Sequence, residues 1–175
     1  GAIVVVLGGA VAKDKDGENA TVKDEAATLL IAVGGDGGTD APYKEGQPDS
    51  EQKYARPGGT AIAKAKDGLA IAVGGRGGKG MGTEEKRSGT ATVQASCTSG
   101  GPGGDAEAES AIGTIALGGV GGEVDPSSLK AWKTCTQYMD SPDARPPKPI
   151  AGANGRAAGA ANLDRASKWL KEKKE

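Results

Sequence analysis

The sequence contains no histidine and no phenylalanine, and aromatic residues make up 3% of it. Histidine is the commonest general base and metal ligand. Its absence excludes a Ser-His-Asp triad, a Cys-His pair and a histidine-ligated zinc site within this chain. The scarcity of large rings excludes a thick layered core, because such side chains supply much of the buried apolar area. No apolar run reaches the ~20 residues that a membrane-spanning helix needs. Charge of neither sign prevails: 22 Lys and Arg face 23 Asp and Glu, a net charge of −1. That balance leaves no electrostatic footprint for nucleic acid or for an anionic membrane. Two cysteines, Cys97 and Cys135, are present. They read either as a disulfide of a secreted chain or as two buried thiols.

Glycine is what the chain has in excess, with 31 of 175 residues. One glycine-rich stretch, "IAVGGRGGKG" at 71–80, has the outline of a phosphate-binding loop. A dinucleotide fingerprint requires a helix directly after the glycines. Here "KGMGTEEKRSG" follows, with further glycines and charge and no apolar helical stripe. A Walker A loop fails as well, because Val73 stands where its first glycine belongs and Gly80 replaces the Ser or Thr. No cofactor is expected.

An internal repeat accounts for the glycines better. "IAVGGDGG" (31–38), "IAVGGRGG" (71–78) and "IALGGVGG" (115–122) recur 40 and 44 residues apart. Upstream of each lies a segment of alternating small residues: "AVAKDKDG", "TAIAKAKDG" and the weaker "GDAEAESAIG". The unit reads as strand, tight turn, strand, GGxGG. In the best copy Ala61, Ala63 and Ala65 alternate with Thr60, Ile62, Lys64 and Lys66, mostly polar, and Asp67-Gly68 reads as a hairpin turn. "GTATVQASCTSGGPGG" (89–104) reads as a further strand with its own glycine pairs. Alanine on the inner face implies a thin interior. The paired glycines (Gly34, Gly35, Gly37, Gly38; Gly74, Gly75, Gly77, Gly78; Gly118, Gly119, Gly121, Gly122) favour extended, polyproline-II-like backbone that stacks closely. The variable residues Asp36, Arg76 and Val120 then point outward. Near the start, Ala10-Val11-Ala12 has the look of a signal-peptidase site. The same local pattern recurs at 58–68, and no charged n-region precedes it, so residues 2–7 read as a strand.

Runs such as "GLAIAVGGRGG" resemble the head repeats of trimeric autotransporter adhesins, and the GGxGG blocks are similar to those of mycobacterial glycine-rich surface proteins. The resemblance covers residues 8–122 and implies an extracellular or cell-surface structural role with no catalytic residues. The expected fold is therefore mainly β: a β-solenoid or β-roll-like stack of short strands over 1–122, followed by two short C-terminal helices.

Insertions at 39–57 and 79–88 read as surface loops. Tyr43 and Tyr54 in the first are interface candidates, or caps on the edge of the thin core. Residues 123–140 read as a helix, with Asp125 as N-cap and Pro126 in its first turn. Residues 141–162 read as a Pro/Gly/Ala-rich strap, and 163–175 as a second helix with Leu163, Ala166, Trp169 and Leu170 on one stripe. Both tryptophans sit in these helices, which suggests that they dock on a surface the repeats leave uncovered. Trp132, Tyr138, Trp169 and Leu170 complete the interface candidates.

The reading expected is a non-enzymatic, extracellular, self-assembling subunit of a fibre, surface layer or stalk, forming a homo-oligomer or polymer. The alternative is a binding module, an adhesin head or phage-type tip, that recognises a cell-surface or carbohydrate ligand through the 39–57 loop. Ice binding would call for a regular Thr ladder, and Thr39, Thr60, Thr90 and Thr114 are irregularly spaced. Carboxylate pairs such as Asp14/Asp16 and Glu84/Glu85 lie in charged, solvated stretches, so no enzyme is expected.

Overall fold

The computed structural model describes residues 1–9, 12–39, 54–86, 93–137 and 153–158. Its strands are β1 (Ile3–Leu7), β2 (Ala20–Asp24), β3 (Leu29–Val33), β4 (Ala61–Ala65), β5 (Leu69–Val73), β6 (Gly82–Lys86), β7 (Val93–Cys97), β8 (Ala106–Glu109), β9 (Gly113–Leu117) and β10 (Ala157–Ala158). The first sheet has the order β1-β3-β5-β9 and the second β10-β8-β4-β2. Every neighbouring pair in both is parallel. A separate antiparallel pair joins β6 to β7. A 3₁₀ turn, Pro126–Ser128, leads into helix α1, Leu129–Gln137. The chain is thus mainly β, with parallel sheets and one short α-helix among the described residues. The second expected helix, 163–175, lies outside them.

Alanine decides how the strands are used. Ala20, Val22, Ala61, Ala63, Ala106 and Ala108 of the second sheet are buried against Leu30, Ala32, Ala70, Ala72 and Ala116 of the first. This corrects the hairpin expected at Asp67-Gly68. β4 pairs with β2 and β8, while β5 pairs with β3 and β9. A hairpin would set both strands side by side in one sheet. Crossing to the other sheet lets their small faces bury each other. A second correction concerns "AVAKDKDG". Lys13–Lys15 is a turn, and the strand stacked on β4 is Ala20–Asp24, in the register Ala20 to Ala61. Its Ala20 and Val22 fill the inner face, which the run Lys13–Asp16 has no residues to do. A third concerns the 79–88 loop, where Gly82–Lys86 is strand β6.

Beyond the strands the glycine segments continue the two layers. Segments 34–38, 74–78 and 118–122 follow strands of the first sheet. Segments 17–19, 56–59, 101–104 and 153–156 precede strands of the second. Backbone bonds between the layers form a chain: the N–H of Gly59 donates to Gly35, Gly75 to Gly59, Gly104 to Gly75, Gly119 to Gly104 and Gly155 to Gly119, all at 2.7–2.9 Å. A parallel chain links Gly38, Arg56, Gly78, Gly101 and Gly122 at 2.8–3.0 Å. A Cβ on Gly75 would lie 1.9 Å from the Gly35 carbonyl oxygen, and one on Gly104 would lie 2.0 Å from that of Gly59. None of the crowded glycines has a backbone φ in the left-handed region. Glycine is needed here for what it lacks, a Cβ, rather than for conformational freedom. Residues 153–158, read from the sequence as strap, join this stack through Gly155 and β10.

Candidate interaction surfaces

The sheets' outer faces differ in chemistry. On the first sheet the outward rows are aliphatic. Val5 stands beside Ile31, Ile71 and Ile115, and Leu7 beside Val33, Val73 and Leu117. Ile3, Val5, Leu7 and Leu117 are 67%, 50%, 68% and 54% exposed. Ile31, Ile71 and Ile115 are half-buried, and Leu69 in the next row is buried. This face carries no charge and no aromatic ring.

On the second sheet the outward positions are Thr21, Lys23, Ile62, Lys64, Glu107 and Glu109. Lys64 Nζ lies 3.0 Å from Glu107 and 3.3 Å from Glu109. Hydrogen bonds to Glu107 and then Glu109 raise the Lys64 pKa above its ordinary value. These groups are solvated, and an exposed pair adds little stability.

Along the glycine layers, Asp36, Arg76 and Val120 are exposed, as the repeat predicts. The opposite charges of Asp36 and Arg76 meet differently from a simple ion pair: Asp36 Oδ1 accepts the Arg76 backbone N–H at 2.9 Å. The same device recurs. Asn19 Oδ1 accepts from Thr60 N at 2.8 Å, Asp105 Oδ1 from Arg156 N at 2.8 Å and Asn154 Oδ1 from Gly121 N at 3.0 Å. Each acceptor satisfies a backbone donor at a layer's edge that would otherwise lack a partner. The Arg156 N–H, then its guanidinium, holds the Asp105 carboxyl below its ordinary pKa.

A small lobe forms where two excursions leave the glycine layers. Asp125 caps the 3₁₀ turn, accepting from Ser127 N at 3.0 Å and Ser127 Oγ at 2.8 Å, and Lys79 Nζ lies 3.4 Å away. The Ser127 hydroxyl and amide, with Lys79 as a further cause, keep this carboxyl below its ordinary pKa. Trp132 and Ala131 of α1 pack with Cys97 of β7 and Val124.

Of the interface candidates, Trp132 is buried inside this lobe at 3% exposure. Leu129 of the same helix is 50% exposed, and Ala131 is buried beside Trp132. Tyr54 is exposed and bridges to Ser99. Tyr43, Tyr138, Trp169 and Leu170 lie outside the described residues. Cys97 is buried and is not a free thiol, and Cys135 is carried by the helix packed on its strand. Among the described residues no three His, Cys, Asp or Glu side chains are grouped as metal ligands, and no helix is long and apolar enough to cross a membrane.

The aliphatic outer face escaped the sequence reading. The signal was present: "IVVVL", "LLIAV" and "LAIAV" are apolar at every position, whereas "ATVKD" and "AIAKA" each carry a lysine at an outward position. No protein-family model, no curated protein and no solved structure matches this chain.

Proposed function

We propose that the protein is a non-enzymatic extracellular structural subunit that assembles with copies of itself. In this reading the chain winds as a β-roll-like solenoid, with polyproline-II segments forming its glycine half. The observation that carries it is the in-register parallel stacking of both sheets, which end on strands β1 and β9 in one and β2 and β10 in the other. An end strand of a parallel sheet offers backbone donors and acceptors at the spacing the next strand requires. Head-to-tail contact between copies extends the sheets with no new geometry, and such a contact does not close on itself, so it builds filaments. A Cys97–Cys135 disulfide would fasten α1 to β7 and suits an oxidising compartment.

The native mass by light scattering after size exclusion, with negative-stain electron microscopy of the same sample, tests this reading. Filaments or a defined oligomer are expected. A monomer with no assemblies across the accessible concentration range sinks it. The second reading, a binding module using the 39–57 loop, is favoured by the exposed Tyr54 at the end of that loop. Ligand screening against the monomer is its test.

A further inference from the structure

The aliphatic outer face of the first sheet is out of place on a water-exposed wall. Its counterpart on the second sheet carries lysine and glutamate, so exposure of the same fold to water selects charge where nothing covers it. We infer that the outer face of the first sheet is the docking site of the chain's own C-terminal segment, residues 162–175, laid across it as an amphipathic helix.

Chain path, length and chemistry agree on this occupant. The last described residue, Ala158, stands in β10 opposite Glu107 of β8, which is the entry to a further turn of the stack. In each earlier turn the chain passes from the second sheet to the first through a short corner: Asp24 to Leu29, Ala65 to Leu69, Glu109 to Gly113. The same path from β10 delivers the chain to the β9 side of the first sheet. A helix of about 14 residues is about 21 Å long. Four strands about 4.8 Å apart span about 14 Å between the outermost axes, so such a helix reaches from β9 to β1. The segment favours helix over a further strand. "NLDRASKWLKEKKE" has no β-branched residue, and its Leu163, Ala166, Trp169 and Leu170 repeat at helical spacing. That stripe is aliphatic and aromatic, like the face it meets; Lys168 and Lys171 fall on the other side of the helix, and Lys173 and Lys174 follow the stripe in the last turn. Helix α1 is not available for this role, because Trp132 is already buried against Cys97 and Ala131.

Area argues against a second copy as the occupant. Five residues along each of four strands give a face of about 19 by 16 Å, about 300 Å². A stable interface between separate proteins needs about 800 Å² from each partner. A tethered segment escapes that requirement, because the linker supplies a high effective concentration. The inference holds whether or not chains assemble further.

The full chain contains two tryptophans, so subtracting the fluorescence of Trp169→Phe from that of the parent isolates Trp169. Its emission is expected at the blue end, with weak acrylamide quenching, at every protein concentration. Val5→Lys and Leu117→Lys alter residues already exposed, and each should shift that emission to the red and raise quenching several-fold. Thr21→Lys on the other sheet's outer wall should change neither. A chain ending at Ala158 should bind anilinonaphthalene dye several-fold more than the full chain, with its far-ultraviolet β signal retained. The inference is overturned if Trp169 emits as a solvated indole in the full chain. It is equally overturned if the face substitutions leave Trp169 unmoved, or if its blue shift appears only as the native mass doubles, which would assign the face to a second copy.

Discussion

The molecule solves the same packing problem twice. In its strand half, two parallel sheets meet through alanine, with Leu30 the largest hydrophobic side chain that is fully buried. In its glycine half, two layers of chain meet through backbone hydrogen bonds, and the crowded glycines face the carbonyl groups of neighbouring segments. The first interior is held by apolar burial, which is non-directional and roughly proportional to area. The second is held by directional bonds that fix each residue's position. The two halves should therefore differ in how they tolerate change. A side chain can repack; a carbonyl fixed 1.9 Å from an added Cβ cannot yield without breaking its own bond.

The largest effect is expected in the glycine half. Gly75→Ala places a methyl against the backbone of both Gly35 and Gly34. Two layers must part, and the loss should exceed about 4 kcal/mol, among the largest single-residue effects. At about 2–4 °C per kcal/mol for a chain of this size, thermal unfolding should fall by more than about 8 °C. A fall of only a degree or two would show that the glycine layers are as forgiving as the sheets. Leu30→Ala, in the strand half, should cost about 2–5 kcal/mol by cavity formation, read from the same melting curve. Ala63→Val tests the opposite change. Ala63 is fully buried, and overpacking there should cost about 1–3 kcal/mol. If Ala63→Val is as damaging as Gly75→Ala, the contrast between the halves is wrong.

Smaller effects sharpen the comparison at its edges. Folding favours the ionised form of Asp105, because the Arg156 amide and then its guanidinium bond to the carboxylate. That contribution is present above the ordinary carboxylate value and disappears as pH falls through the lowered folded value. Melting temperatures of the parent and Asp105→Asn, taken from about pH 7 to about pH 2, should differ most at the neutral end and converge in acid. Curves that stay parallel would deny the ionised bond any role. Smallest of all, Val120→Ser alters an outward residue of a GGxGG unit that is 54% exposed, and should change stability by less than about 0.5 kcal/mol.

These contrasts bear on what the sequence makes legible. The glycine spacing gave the repeat, because GGxGG marks every copy and the close approach it serves admits no other residue. The cap at Asp125 and Pro126 was legible for a similar reason: few residue types perform that task. Strand pairing was less so. Asp67-Gly68 is a strong local turn signal, but a turn does not say whether the chain folds back within a sheet or crosses to another. The answer lay in burial of Ala63 against Ala70 and Ala72, a property of the assembled layers. The strand Ala20–Asp24 was not legible because "AVAKDKDG" matches "AIAKAKDG" more closely in sequence, although its charges have no place inside. The aliphatic wall was missed because a run such as "LLIAV" reads the same whether one face or both are covered.

The hydrogen bonds of the glycine half have one more consequence. Between layers, each later segment donates to an earlier one, as Gly75 does to Gly59. Within a layer the sense is reversed: Gly34 donates to Val73, Gly37 to Arg76, Gly74 to Leu117 and Gly77 to Val120. An α-helix aligns its peptide dipoles and accumulates partial charge at its ends. Here the opposed senses offset one another, so adding a turn to the stack builds up no field along it. Electrostatics therefore sets no natural length. Duplication or loss of a forty-residue unit is therefore a change that this bonding pattern can absorb.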